Sequence, residues 1–467
     1  MLHTLRNLSP RARAVLYMTA SMSLHYGGYE FVRNAGLALF TSDAGFPGPA
    51  AFPLANGLIS PISVALLFIY GRQLENGGPR VALRNTTAYC ILFVLATAAI
   101  MHCGDSIPAV ITQAVIGMAF LFQNSYVYML ASQQWSFTDS IVTPDEGAQW
   151  FGAMTGISSL VCTVAASLVP VMLPFTGLIG MYALTAVMLL GSLFCGERAY
   201  ALAQQHGFDP ALQQEPKAKK ASDDGTTKSS SNRVSDALAL FRRVPTLGAL
   251  FTDGISFQTL NTILNVAMVR ALKLEIPNDM ARSAYTGRFY ALVSGVSAAL
   301  QFVLLPIGMK HLEPKQIWRI MPIIPFVVSL VQVLPTTTGA SSASLRMLAG
   351  ALFLTKVMDY SLRSVVYNMV YQPLDFESRF VGKEIIGVFG SRFGKSGMSL
   401  LLSGLTASGL LSSSLRPLSY FSLAASTAWV ASTWWLSNLL PKKADAQRTV
   451  EERRRKIELQ KQQEKVD

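Results

Sequence analysis

Apolar stretches about as long as a bilayer is thick recur along the whole chain, and they constrain the fold more than any other feature. A bilayer core needs about 20 apolar residues per helical span, and the backbone inside it must satisfy its own hydrogen bonds, so each span is a helix. Twelve stretches qualify. The first six run at roughly 14–40, 52–71, 84–103, 107–132, 147–173 and 175–195. The second six run at roughly 245–270, 284–309, 316–336, 343–368, 383–413 and 415–440. Several exceed one membrane thickness, which calls for tilt or extra turns beyond the lipid. Only 14% of the 467 residues are charged, against about 25% in a soluble domain. The expectation is an all-α membrane protein with about twelve transmembrane helices.

Residues 196–243 break the pattern. The run EPKAKKASDDGTTKSSSNR is polar, Ser/Lys-rich and without periodicity, so it reads as a flexible loop. The expected organisation is a six-helix half over 1–195, a cytoplasmic linker over 196–243, a second six-helix half over 244–440 and a charged tail over 441–467. The tail segment Arg453-Arg454-Arg455-Lys456 offers charge to anionic lipid headgroups; a solvated helix is the bland alternative.

The net charge of +12 sits in the loops. With both termini cytoplasmic, the inside segments carry 28 Lys and Arg, and the opposite side holds only Lys273, Arg282, Arg346 and Arg416. That asymmetry sets the orientation and accounts for the basic total without a nucleic acid polymer. Loop 133–146 runs against it, with Asp139, Asp145 and Glu146 and no cation. The N-terminal MLHTLRNLSPRARAV lacks a cleavage site and is too short for a transit peptide; either none is needed or one lies outside this sequence. Four scattered cysteines and five histidines show no metal-ligand spacing, so no metal is expected. No paired-carboxylate, Ser/His/Asp or Cys/His constellation is present either. No catalytic residue, cofactor or enzyme activity is expected.

Seven cations fall inside the spans: Arg33, Arg270, Arg288, Lys356, Arg363, Arg392 and Lys395. Arg270 and Arg288 are near span ends and can snorkel. The deep acids are Glu30, Asp253, Asp359 and Glu384. A charge at the centre of a span costs about 2.5–3.5 kcal/mol on insertion scales, so each faces a partner or a cavity. Glu30 and Arg33 are three apart, as are Lys356 and Asp359, while Asp359 and Arg363 are four apart. Helical spacing allows local ion pairs at each. These two groups are therefore either a salt-bridge network or part of a site. Arg392 and Lys395 share one face with no acid in helical reach, which suits an anionic small-molecule substrate. Their setting, GVFGSRFGKSG at 387–397, is one residue short of a P-loop and has no βα unit. Close helix packing explains Gly390 and Gly394 better.

Residues 356–397 resemble the late signature of the plastid and bacterial ATP/ADP translocases, the nucleotide transporter family. The matching steps are Tyr360-Ser361-Leu362, Met369, Tyr371 to Leu374, Gly382-Lys383 and Arg392 to Ser396. Tyr29 to Arg33 is similar to that family's first span, and Trp135 with Glu146 to Gly152 to the segment entering its fifth. The resemblance implies a fold similar to the major facilitator superfamily, with twelve spans in two pseudo-symmetric halves. It also implies a midplane nucleotide site, and exchange or proton-driven import by rocking of the halves. The host membrane it implies is a bacterial inner membrane or a plastid envelope.

Several positions depart from the family's pattern. Its first-span lysine falls at Gly36, its fourth-span glutamate at Gln123 and a seventh-span acid at Asn265; Tyr367 and Asn368 stand where a lysine and a glutamate are typical. Fewer cations predict a substrate of lower charge than ATP, so that a broader nucleotide or smaller phosphorylated anion is preferred over strict ATP/ADP exchange. The expected function is a secondary transporter of nucleotides or a related phosphorylated anion. The first candidates for substrate contact are Lys395 and Arg392, followed by Arg33, Arg363 and Lys356. Tyr29, Tyr360 and Tyr367 are available to stack on a base, with core packing the alternative for each. Glu30, Asp253 and Asp359 are the coupling or gating candidates. The rivals are a major-facilitator transporter of another anionic metabolite and a non-transporting structural membrane protein on the same fold.

Overall fold

The computed structural model describes residues 9–103, 106–141, 144–210, 239–304, 312–334, 344–371, 373–374, 378, 386, 390, 393–411, 416–442, 444–446, 448–449 and 452. Every regular element among them is helical. In chain order they are α1 (Pro10–Thr41), α2 (Ala51–His102), α3 (Ala109–Ile141), α4 (Pro144–Gln205), α5 (Pro245–Glu275) and α6 (Asp279–Ala299). A π-helical turn at Leu300–Leu304 follows α6. Next come α7 (Pro314–Ile320), α8 (Ile323–Val333) and α9 (Leu345–Met358). A second π-helical turn, Asp359–Arg363, leads into α10 (Ser364–Tyr371), and α11 (Gly394–Ala407) and α12 (Arg416–Leu439) complete the order.

Two of these helices are pairs of spans joined at a single residue. Gly78 breaks α2 at φ 74°, and Gly177 breaks α4 at φ 63°. Both are left-handed conformations that glycine adopts without penalty. Pro79 then opens the next helix with its fixed φ and no unsatisfied N–H. Counted at these breaks, with α7–α8 and α9–α10 each one pass, the described residues make twelve helical passes. The sequence expectation differs in detail. Residues 71–84 are helical on both sides of Gly78 instead of forming a loop, and α4 runs to Gln205, ten residues past the expected end at 195. Glu197 is thus held on a helix and pairs with Arg80 at 2.7 Å.

Other ends follow local rules. Ser9 caps α1 by accepting from Ala12 N–H, with Pro10 in the first turn. Glu313 and Gln316 form a capping box ahead of α7. Five segments are long and apolar enough to cross a membrane by length and composition alone: Ala51–Leu74, Asn76–His102, Ala109–Thr138, Ala153–Gln205 and Lys315–Val333. Helices α1, α5 and α9 carry the deep charges, which lower their hydropathy.

The chain forms two compact units, Met1–Asp224 with Leu272–Ala298, and Gly225–Ala271 with Ala299–Asp467. The first is held by polar seams between helices. Ser21 and Ser192 bond each other's hydroxyls at 3.0 Å and each other's carbonyls at 2.8 Å, and Thr185 donates to the Gly28 carbonyl. Such bonds, with glycines at the crossing, hold spans together where no hydrophobic force acts between them. Residues 272–298 pack into this unit. A Cβ at Gly287 would lie 2.9 Å from Val169 Cβ, and Lys273 Nζ donates to the Pro47 carbonyl at 2.6 Å. The second unit has an apolar core at one end, built from Leu240, Leu247, Leu250, Ile317, Trp318 and Leu436 among others.

Candidate substrate site

In the first unit α1 presents two of the expected charges. Glu30 is buried, and Arg33 pairs with it. The Arg33 guanidinium lies 3.3 Å from the ring centroid of Tyr290 on α6 and 5.4 Å from that of Tyr29. Tyr29 is itself fixed, its hydroxyl donating to Asn124 Oδ1 at 3.3 Å. One carboxylate and two rings therefore surround this cation. Tyr290 carries no signal in the sequence, because its role depends on α6 meeting α1.

One turn further along α1 is Gly36. A Cβ there would fall on the carboxamide of Gln123, 2.7 Å from its Cδ. Both amide atoms of Gln123 are buried without a hydrogen-bond partner among the described residues. Positions 36 and 123 are thus direct neighbours on α1 and α3. A lysine at one would face a glutamate at the other, so the two family charges missing here are missing as a neutral pair.

In the second unit Asp253 on α5 is fully buried, at 0% exposure. It accepts from Arg363 Nη2 at 3.1 Å, Trp429 Nε1 at 3.0 Å and Thr433 Oγ1 at 3.3 Å. Arg363 also faces Asp359 at 3.6 Å, and its guanidinium lies 4.3 Å from the Phe257 ring centroid. Two acids and one cation, drawn from α5 and the π-helical turn, make an ionic hub with α12. The expected Asp359–Arg363 pair is present. Lys356 does not join it, and its ammonium instead lies 5.5 Å from the Tyr360 ring centroid. Trp429 and Thr433, four apart on one face of α12, were not foreseen; the i, i+4 pairing of two donors in an apolar helix is the signal for them.

Lys395 is in the first turn of α11, half-buried, with no carboxylate partner among the described residues. The glycines around it are packing residues. Cβ atoms at Gly390 and Gly394 would lie 3.3 Å from Phe251 Cδ2 and Ile255 Cα of α5. Close contact with α5 fixes where α11 begins and so where Lys395 sits. Arg392 and Glu384 lie outside the described residues, as do the side chains of Glu146 to Gln149. Lys395 is thus a cation without a protein anion among the described residues, an arrangement that suits a bound anion.

Known proteins resemble this chain in sequence and in the arrangement of its helices. A protein named "ADP,ATP carrier protein 1" from Chlamydia trachomatis serovar D is 25% identical over 433 residues, spanning 81% of this chain and 79% of the relative. A protein of the same name from Chlamydia pneumoniae is 24% identical over 433 residues, spanning 81% of each. Among solved structures, a D-xylose-proton symporter superposes with a TM-score of 0.61 at 12% identity, over 93% of this chain and 99% of the symporter. A variant of the nucleoside transporter NupG gives 0.59 at 12%, over 92% of this chain and all of NupG (100%). A bacterial homologue of the iron transporter ferroportin gives 0.58 at 14%, over 92% of this chain and 98% of that one. These likenesses show a fold of the major-facilitator type. The family model described as TLC ATP/ADP transporter matches residues 127–439, about two thirds of the sequence, and the chain belongs to that family.

Proposed function

We propose that this protein is a secondary transporter that moves a nucleotide or a related phosphorylated anion by alternating access. The observation that carries this is Lys395, a cation in the first turn of α11 with no carboxylate partner among the described residues, with Lys356 on α9 a second cation that joins no ion pair among the described residues. Arg392 stands three residues before Lys395 and adds to the same anion site. Tyr360, beside Lys356, supplies a ring for a base. Arg33 and Arg363 are already neutralised and rank behind the lysines as direct ligands. Tyr29, tied to Asn124, positions Arg33. Of the coupling candidates, Asp359 holds its arginine at the longest distance and is more exposed than Asp253 or Glu30, which makes it the most accessible to a proton.

Uptake into liposomes reconstituted with the full chain tests the proposal, using a panel of ATP, ADP, other nucleotides and smaller phosphorylated anions. Lys395→Ala and Lys356→Ala should each weaken uptake about tenfold or more while inserting normally. The loss of one charge-assisted contact is on the order of 1.5–3 kcal/mol. Undiminished uptake by both variants would remove the lysines from the site. Absence of saturable uptake of any phosphorylated compound by the wild type would favour a structural role on the same fold.

The basic loops support a cytoplasmic side for both termini and for the linker that follows α4, and the family resemblance supports a bacterial inner membrane or a plastid envelope. Single-cysteine labelling in a cysteine-free background should modify the loop and the tail from one face only. Labelling from opposite faces would overturn the twelve-span topology.

A further inference from the structure

Arg319, near the end of α7, is not involved in substrate or core contacts, yet it is held in one orientation. Its Nε donates to Ser437 Oγ at 2.8 Å and its Nη2 to Asn438 Oδ1 at 2.7 Å, both on α12. Its guanidinium lies over the Trp434 ring, 4.6 Å from the centroid. Nη1 has no partner among the described residues, and the side chain is only half-buried. Trp434 and its neighbour Trp435 are 55% and 47% exposed. Tryptophan concentrates at membrane interfaces, where its apolar body meets lipid and its N–H meets headgroups.

More positive charge gathers at the same end of the second unit. Phe241, Val244, Leu439 and Leu440 all pack against the apolar cluster that contains Ile317, Trp318 and Leu436. Arg242 and Arg243 lie between the first two, both exposed, and Lys442 follows the last, also exposed. The nearby acid Glu313 is taken by Lys315 at 2.8 Å. A rim with exposed indoles, exposed cations and one oriented guanidinium complements a lipid with an apolar tail and a negative headgroup. Orienting Arg319 in advance lowers the entropy lost on binding, and a guanidinium fork matches phosphate oxygens.

We propose that this rim is a binding site for an anionic phospholipid of the cytoplasmic leaflet, with Arg319 as the phosphate ligand, Trp434 and Trp435 against the acyl-glycerol region, and Arg242, Arg243 and Lys442 supplying the surrounding charge. The leaflet follows from the orientation proposed above. The site itself is independent of what the protein carries, and of the basic tail at 453–456.

Native mass spectrometry of the full chain, released from mixed phosphatidylglycerol and phosphatidylcholine, should show phosphatidylglycerol retained preferentially. Arg319→Gln should lower its affinity about tenfold, and Trp434→Leu should lower it less. Arg346→Gln, on the opposite face of the membrane, should not change it. In parallel, the wild-type unfolding temperature should rise with phosphatidylglycerol but not with phosphatidylcholine or inorganic phosphate. If Arg319→Gln does not fold, this second comparison decides alone. Equal retention of the two lipids, undiminished retention by folded Arg319→Gln, or equal stabilisation by inorganic phosphate would each overturn the proposal.

Discussion

Asp253→Ala should destabilise the second unit by about 3–5 kcal/mol, the range for removing one partner of a buried ion pair. The substitution strips Arg363 of its 3.1 Å partner, leaving only Asp359 at 3.6 Å. It also leaves Trp429 Nε1 and Thr433 Oγ1 without their shared acceptor in a buried site. Much of the loss is thus a buried cation left with only its more distant acid, and it should be recoverable. Asp253→Leu combined with Arg363→Met removes the most buried pair and fills the volume, leaving only the more exposed Asp359 charged, and for buried pairs such a change is often neutral or stabilising. Thermal unfolding in detergent, followed by size-exclusion chromatography, measures both. A single variant as stable as the wild type would mean the hub is not buried as a pair. A double variant no better than the single would mean the hydrogen bonds from α12, not the charges, hold the unit together. The folded double variant also separates structure from coupling. If Asp253 carries a proton during transport, uptake by that variant loses its dependence on a pH gradient; if Asp253 is structural, the dependence remains.

The hub illustrates what the sequence could reveal. Glu30–Arg33 and Asp359–Arg363 were legible because helical spacing alone brings residues three or four apart together. Asp253 and Arg363 are 110 positions apart, and no local pattern links them. Lys356 had the right spacing to pair with Asp359, but it turns to Tyr360 while Asp359 turns into the π-helical turn toward Arg363. The spans were legible from hydropathy, since a bilayer imposes length and helicity together. Their joints were less so. Gly78-Pro79 marks a turn, but the helicity of the flanking polar residues depends on contacts such as Arg80 with Glu197, far along the chain. Lys395 was half legible. It stood out for lacking an acid in reach, whereas the start of its helix is set by the packing of α11 on α5. The platform under Arg33 was invisible, because Tyr290 reaches α1 only through the packing of residues 272–298 into the first unit.

Gly36→Lys should be among the most damaging single substitutions in the first unit, although it restores a residue typical of the family. The new Cβ meets the Gln123 carboxamide, which is already buried and unpartnered. Overpacking of this kind costs about 1–3 kcal/mol. A buried lysine facing a neutral amide adds roughly 2.5–3.5 kcal/mol on insertion scales. Gln123→Glu by itself should also destabilise, since a buried carboxylate would face a glycine. Together the two changes place opposite charges on α1 and α3 at contact distance, so the double variant should be more stable than the sum of the single effects implies. A coupling of about 1–3 kcal/mol is expected for directly touching residues, and unfolding temperatures of the four proteins in the cycle measure it. Preloaded liposomes add a functional readout. If the Gly36–Gln123 pair is a neutral replacement for an ion pair, the double variant should transport the same substrates as the wild type. If position 36 instead faces the substrate, Gly36→Lys alone should fold normally and tighten binding of the more highly charged nucleotides. That outcome would support the missing lysine as a determinant of specificity, and would require Gln123 to leave the space it occupies beside Gly36.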